Sequence, residues 1–138
     1  MRNVLRLILL AGLYLLFNSF SYSPRPSYNT GMEMEDVVGA LKTGNASQLS
    51  RYFDIRVDIS LPYKSDNYSK TQAEMVIRDF FLNNNVRNFE TKFQGDNNGS
   101  KYCIGILKTR TGDFRTKLFM KQRENKQVLQ EIAFQQVE

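Results

Sequence analysis

Histidine and tryptophan are absent from the 138 residues, and cysteine occurs once, as Cys103. Without an imidazole, Ser-His-Asp and Cys-His catalysis cannot be built in their usual forms. Zinc and haem sites of ordinary composition are excluded as well, because a lone thiol has no partner ligands. No cofactor and no metal is therefore expected. One cysteine cannot close an internal disulfide. Cys103 either packs as a small apolar residue or is available for pairing between molecules. No glycine-rich phosphate loop is present. The run Gly95-Asp96-Asn97-Asn98-Gly99 lacks the acidic density and closing glutamate of a calcium loop and reads as a turn. The patterns starting at Asn45, Asn67 and Asn98 match the glycosylation acceptor, a pattern short enough to arise by chance.

What is present is an ordinary globular balance of 41% hydrophobic and 24% charged residues. The formal charge of +5 overstates the basicity. Arg2 and Arg6 precede the apolar run Leu7–Phe17, and removing them leaves 17 basic against 14 acidic residues, a charge of +3. Such a balance lacks the dense basic patch of a nucleic-acid binder, so no nucleic-acid partner is expected.

Two arginines followed by eleven uninterrupted apolar residues make a secretory signal peptide. The run is short for a bilayer span, which needs about 20 residues. Ser19 and Ser21 stand at the spacing a signal peptidase reads, which places cleavage after Ser21. The alternative is an uncleaved anchor. No cysteine follows the run to take a lipid, so a lipoprotein is excluded. The expected organisation is a signal peptide over 1–21, a Pro-, Ser- and Gly-containing leader over 22–31, and one domain over 32–138. The expected location is the periplasm, with no stable membrane span after cleavage.

Within the domain, Met34, Val37, Val38 and Leu41 share one helical face, and Gly44 ends that helix. A second helix is predicted over 46–53, with Leu49, Tyr52 and Phe53 inward. Residues 55–61 alternate, placing Ile55, Val57, Ile59 and Leu61 on one side and Asp58 on the other. Pro62 and the polar stretch 64–68 close that strand. Ser69 and Gln72 form a capping box that opens the longest helix, with Ala73, Val76, Ile77, Phe80 and Phe81 buried. Strands over 88–94, 101–109, 114–123 and 128–137 follow. Alternation groups Phe89, Thr91 and Phe93; Tyr102, Ile104 and Ile106; Phe114, Thr116, Leu118 and Met120; and Val128, Gln130, Ile132 and Phe134 as the inward sets. Helices first and strands last mark an α+β fold. The arrangement expected is a curved antiparallel sheet wrapped around the long helix, with four consecutive strands at the end.

This order resembles the nuclear-transport-factor-two-like fold, the cone-shaped cousin of the cystatin fold. The runs ALKTGNASQLSRYFDIRVDI (40–59), YSKTQAEMVIRDFF (68–81) and KYCIGILKTRTGDFRTKLFMK (101–121) resemble a small exported family, domain of unknown function four-seven-eight-three. The resemblance covers roughly residues 33–135, and YSKTQAE…DFF is its most specific part. It implies a fold and export, and no activity, since function resides in sites and not in the fold.

Three sites follow from the residues. A ketosteroid-isomerase- or dehydratase-like site needs a carboxylate base in an apolar cone and an oxyanion donor. Asp58 is the candidate base, with Tyr52 or Tyr102 as donor. A small-ligand pocket would gather Tyr52, Tyr102, Thr116 and Gln130, polar groups at otherwise inward positions. Last, alternation places Cys103, Leu107, Phe119, Leu129 and Ala133 on the outer sheet face. There they lie among Arg115, Lys117, Lys121, Arg123 and Glu131, an apolar stripe edged by charge. The resembled fold often dimerises through that face. The leading expectation is a non-enzymatic exported module that binds a partner, an envelope protein or small ligand, as a homodimer through its sheet; the alternative is the enzyme built on Asp58.

Overall fold

The computed structural model describes residues 32–138. The signal peptide and leader read at 1–21 and 22–31 lie outside the described residues.

Helix α1 (Met32–Thr43) opens with Glu33 and Glu35 and closes with Lys42, charges that oppose the helix dipole. Its apolar face, Met34, Val37, Val38 and Leu41, is buried as the spacing predicts. Gly44 adopts φ +65° and reverses the chain. Asn45 Oδ1 then accepts from the Gln48 amide at 3.0 Å and caps the short α2 (Ala46–Ser50). This helix stops three residues before the predicted end, because Phe53 already belongs to β1 (Phe53–Leu61).

The polar stretch after Pro62 is a strand, β2 (Lys64–Ser69), and not only a closing loop. It pairs antiparallel with β1 through six residue pairs, from Arg56–Ser69 to Leu61–Lys64. Its sequence, KSDNYS, has no apolar alternation because neither of its faces is buried. Ser69 ends β2 and caps α3 (Lys70–Asn84) with the full capping box: its Oγ accepts from the Gln72 amide, while Gln72 reaches back to the Ser69 amide. Asn85 closes α3 in the left-handed conformation, φ 54°.

Four strands follow: β3 (Val86–Asn97), β4 (Ser100–Thr109), β5 (Gly112–Arg123) and β6 (Lys126–Gln136). The β3–β4 and β5–β6 hairpins turn on pairs of residues of positive φ, Asn98-Gly99 and Glu124-Asn125, the backbone favoured in two-residue hairpins. The six strands form one unclosed sheet in the order β2-β1-β6-β5-β4-β3. All neighbours are antiparallel except β1 and β6, which run parallel. Phe80 of α3 packs edge-on against Phe114 and lies 4.6 Å from Phe134, so the long helix sits on the inner face of β5 and β6. The α+β architecture read from the sequence is the one observed.

The sheet faces differ from that reading in four places. In β3 the extra residue Lys92 shifts the register between Thr91 and Phe93, so Phe93, expected inward, is 55% exposed on the outer side. In β4, Cys103 and Leu107 are fully buried, while Tyr102, Ile104 and Ile106 are only half-buried. The two sets of β4 are thus exchanged relative to the sequence expectation. Both are apolar, and pairing decides between them: Cys103 and Leu107 lie beside Leu118 and Phe114 on the inner side, and Ile104 and Ile106 beside Lys117 and Arg115 on the outer. In β6 the extra residue Gln130 forms a bulge opposite Phe119 and Met120. Leu129 is therefore inward and fully buried, and Val128 is not. In β1 the pairing with β6 jumps between Phe53 and Asp58. Ile55 is consequently 73% exposed and Asp54 is buried.

Candidate functional site

The corrected faces redefine the outer sheet surface. Cys103, Leu107 and Leu129, read as interface residues, belong to the core. Burial raises the pKa of the Cys103 thiol, which leaves it protonated among Thr91 and Gln94. Phe119, Arg115, Lys117 and Lys121 lie on the outer side as predicted. They are joined there by Phe93, 55% exposed, and by Tyr102, Ile104 and Ile106.

Cross-strand neighbours order these residues into rows. Phe93, Ile104, Lys117 and Ala133 follow one another across β3 to β6. Tyr102, Phe119 and Glu131 form the next row, continued by Asp58 on β1. The Phe93 and Tyr102 rings lie 5.7 Å apart at 36°, a contiguous aromatic surface. The outer face carries both signs. β5 holds Arg115, Lys117, Lys121 and Arg123 together with Asp113, which lies 2.8 Å from Lys108 of β4; Glu131 lies on β6, Asp58 beside Arg56 on β1, and Glu90 on β3, 3.4 Å from Lys92. Lys117 reaches Glu131 at 3.4 Å.

Asp54 is the residue that sequence reasoning missed. It is 7% exposed, at the point where β1 arches away from β6. One carboxylate oxygen accepts from the Ile55 amide at 2.8 Å and lies 3.4 Å from the Arg123 guanidinium; the other accepts from Gln130 Nε2 at 3.0 Å. The carboxylate thus joins the β1 irregularity to the β6 bulge. Apolar residues fill every odd position from Phe53 to Leu61, so nothing local in the sequence announces this.

The four residues of the predicted pocket are not brought together. Tyr52 donates to Asp36 Oδ2 at 2.5 Å. Its pKa is pushed up to about 12 by burial, by that hydrogen bond and by the charges of Asp36 and Glu33. Thr116 is fully buried and donates to the Phe114 carbonyl at 3.2 Å. Gln130 is committed to Asp54. Tyr102 lines a cleft of about 340 Å³ between the start of α1 and the β3–β4 hairpin, with Glu35, Gln94 and Asp96.

Asp58 is exposed on the β1–β2 hairpin and accepts from Asn67 Nδ2 at 2.7 Å, while Arg56 holds the Asn67 carbonyl at 3.0 Å. A base for proton abstraction needs an apolar surround that raises its pKa and a donor facing the same substrate. Asp58 is exposed and points away from the cone, so no apolar cavity encloses it. The isomerase-like site is not assembled around it.

The sequence profile of the family described as Domain of unknown function (DUF4783) matches residues 34–135. Among solved structures, a DUF4783 family protein from Bacteroides uniformis is similar at 36% identity and TM-score 0.73, over 75% of this chain and 96% of that one. A second, from Bacteroides ovatus, is similar at 30% identity and TM-score 0.73, over 75% and 94%. An NTF2-like protein of unknown function from Cytophaga hutchinsonii, at 6% identity and TM-score 0.58 over 78% and 89%, shares the fold alone. No curated protein matches this sequence.

Proposed function

The chain belongs to the DUF4783 family, and on that premise we propose that it is an exported, non-enzymatic binding module that pairs with a second copy of itself through the outer face of β3 to β6. One observation carries the reading: an aromatic and aliphatic surface of Phe93, Tyr102, Ile104, Ile106 and Phe119 lies on the side of the sheet away from α3. Contiguous apolar surface rimmed by charge marks an interaction site.

A second copy suits this face by charge. In a two-fold contact each patch meets itself, so a face that carries both signs can set the cations of one copy against the carboxylates of the other. The cations of β5 then face the carboxylates of the partner's flanking strands, and the apolar rows meet between them. Export rests on the signal-peptide pattern of residues 1–21, and the non-enzymatic assignment on the exposure of Asp58 and the absence of histidine.

Zero-length carbodiimide cross-linking of an equal mixture of isotope-labelled and unlabelled protein tests the contact. The expected product is a mixed-isotope peptide joining Lys117 or Lys121 to Glu131. Cross-links confined to single chains, or linking helices between chains, would overturn the assignment.

A further inference from the structure

A cleft of about 490 Å³ opens on the helical side, where the turn between α1 and α2 meets the C-terminal half of α3. Phe81, Ala46 and Val86 give it an apolar floor, continued by Leu82, which is 73% exposed. Gly44 admits the close approach: at φ +65°, any Cβ there would stand 2.9 Å from Val86 Cβ. Asn45, Ser47 and Asn85 supply polar groups at the rim.

Arg78 is the one charged residue that lines the cleft; the carboxylate of Glu74, its neighbour on α3, stands outside the lining. Its Nη2 donates to Glu74 Oε1 at 2.8 Å and to Ser47 Oγ at 2.9 Å. An ion pair one helical turn apart is common and worth only tenths of a kcal/mol. The Ser47 contact is different, because it fixes the guanidinium to another helix across the cleft. Both Nη2 hydrogens are thereby used. The Nε hydrogen and the two on Nη1 have no partner among the described residues. A guanidinium carries five donors in a rigid plane that matches a carboxylate. Held in place beforehand, it loses little freedom on binding.

We propose that this cleft binds a carboxylate carrying an apolar chain, with the carboxylate on Arg78 and the chain over Phe81, Leu82 and Val86. The chemistry is shared by a free acyl carboxylate and by the C-terminus of a peptide ending in an aliphatic residue. The site is remote from the outer sheet face and does not depend on pairing between copies.

The test is an NMR titration of labelled protein lacking residues 1–21, which retains the whole described domain. The probes are decanoate and an acetylated tripeptide ending in leucine, with decanol and the amidated tripeptide as uncharged controls. The expected result is saturable movement of the Ser47, Leu82 and Val86 amides with at least one carboxylate probe; which one responds identifies the source. Arg78→Gln should weaken that binding about tenfold, the loss of one charge-assisted contact. Leu82→Asp should weaken it at least as much, with an unchanged melting temperature because that side chain is 73% exposed, while Arg78→Gln lowers the melting temperature only slightly, by the loss of a half-exposed ion pair. The assignment fails if neither carboxylate moves these amides, if the uncharged controls move them equally, or if Arg78→Gln binds as the native protein does.

Discussion

Gly105 on β4 marks where packing leaves no room. A Cβ there would run into the Phe89 ring and stand 2.5 Å from the Glu90 carbonyl oxygen, a backbone atom that cannot step aside. Gly105→Ala should cost about 2–3 kcal/mol, the usual penalty of overpacking, measured by urea unfolding. Gly95→Ala should cost less. The added methyl meets only the outer atoms of Tyr102, a half-buried ring that can swing toward solvent. Equal losses at the two positions would contradict this distinction. At the same scale, Tyr52 ties the turn after α2 to Asp36 of α1. Its folded pKa of about 12 lies above its ordinary value of 10, so the folded state holds this proton more tightly. The stability it contributes is complete below pH 10 and is lost as pH rises through about 12. Tyr52→Phe should therefore flatten the fall in stability over that alkaline window, followed by thermal melts across the range.

Among the elements, α3 was the most legible. A capping box, a 3.6-residue apolar stripe and a terminal asparagine cluster agree on where it starts, faces and stops. Ser69→Ala removes the acceptor for the Gln72 amide and should cost about 1 kcal/mol, seen as a lower denaturation midpoint with unchanged slope. The strands were legible except β2, whose polar sequence carries no periodicity because it is buried on neither side, and the far end of β3, where Gly95–Asn97, expected in a turn, pair with β4 and leave only Asn98-Gly99 to turn. Their facing was less legible. In β4 the sets Tyr102-Ile104-Ile106 and Cys103-Leu107 are both apolar, and alternation has no sign of its own. Only the pairing with β5 assigns them, and pairing is a non-local fact. In β6 a single unpaired residue, Gln130, moved Leu129 into the core. Those two slips account for the misassigned part of the predicted interface. Phe119, Arg115, Lys117 and Lys121 were placed correctly because β5 has no extra residue of its own: its residues pair in succession from Gly112 to Arg123, and the bulge lies on β6.

For the whole molecule, the fold and family were legible because the element order and three sequence runs act together. The pocket was not, because its four residues each found a separate partner or cleft. Export predicts that the protein recovered from its native cells begins at Tyr22, which mass analysis of the amino-terminal peptide would show. Recovery of peptides from the Leu7–Phe17 run in the mature protein would instead mean a retained anchor.

Pairing between copies would place the outer sheet face at the centre of the assembly. Sedimentation equilibrium of protein lacking residues 1–21, with and without Phe119→Glu, measures this directly. Phe119 stands between Tyr102 and Glu131 on that face, so a carboxylate there would be desolvated and unpaired on association. The predicted result is a two-chain mass at tens of micromolar for the native sequence and a one-chain mass for Phe119→Glu, with the same unfolding midpoint measured at concentrations where both are single chains. A native protein that stays a single chain over that range, or a variant that dimerises as well as the native chain, would contradict it.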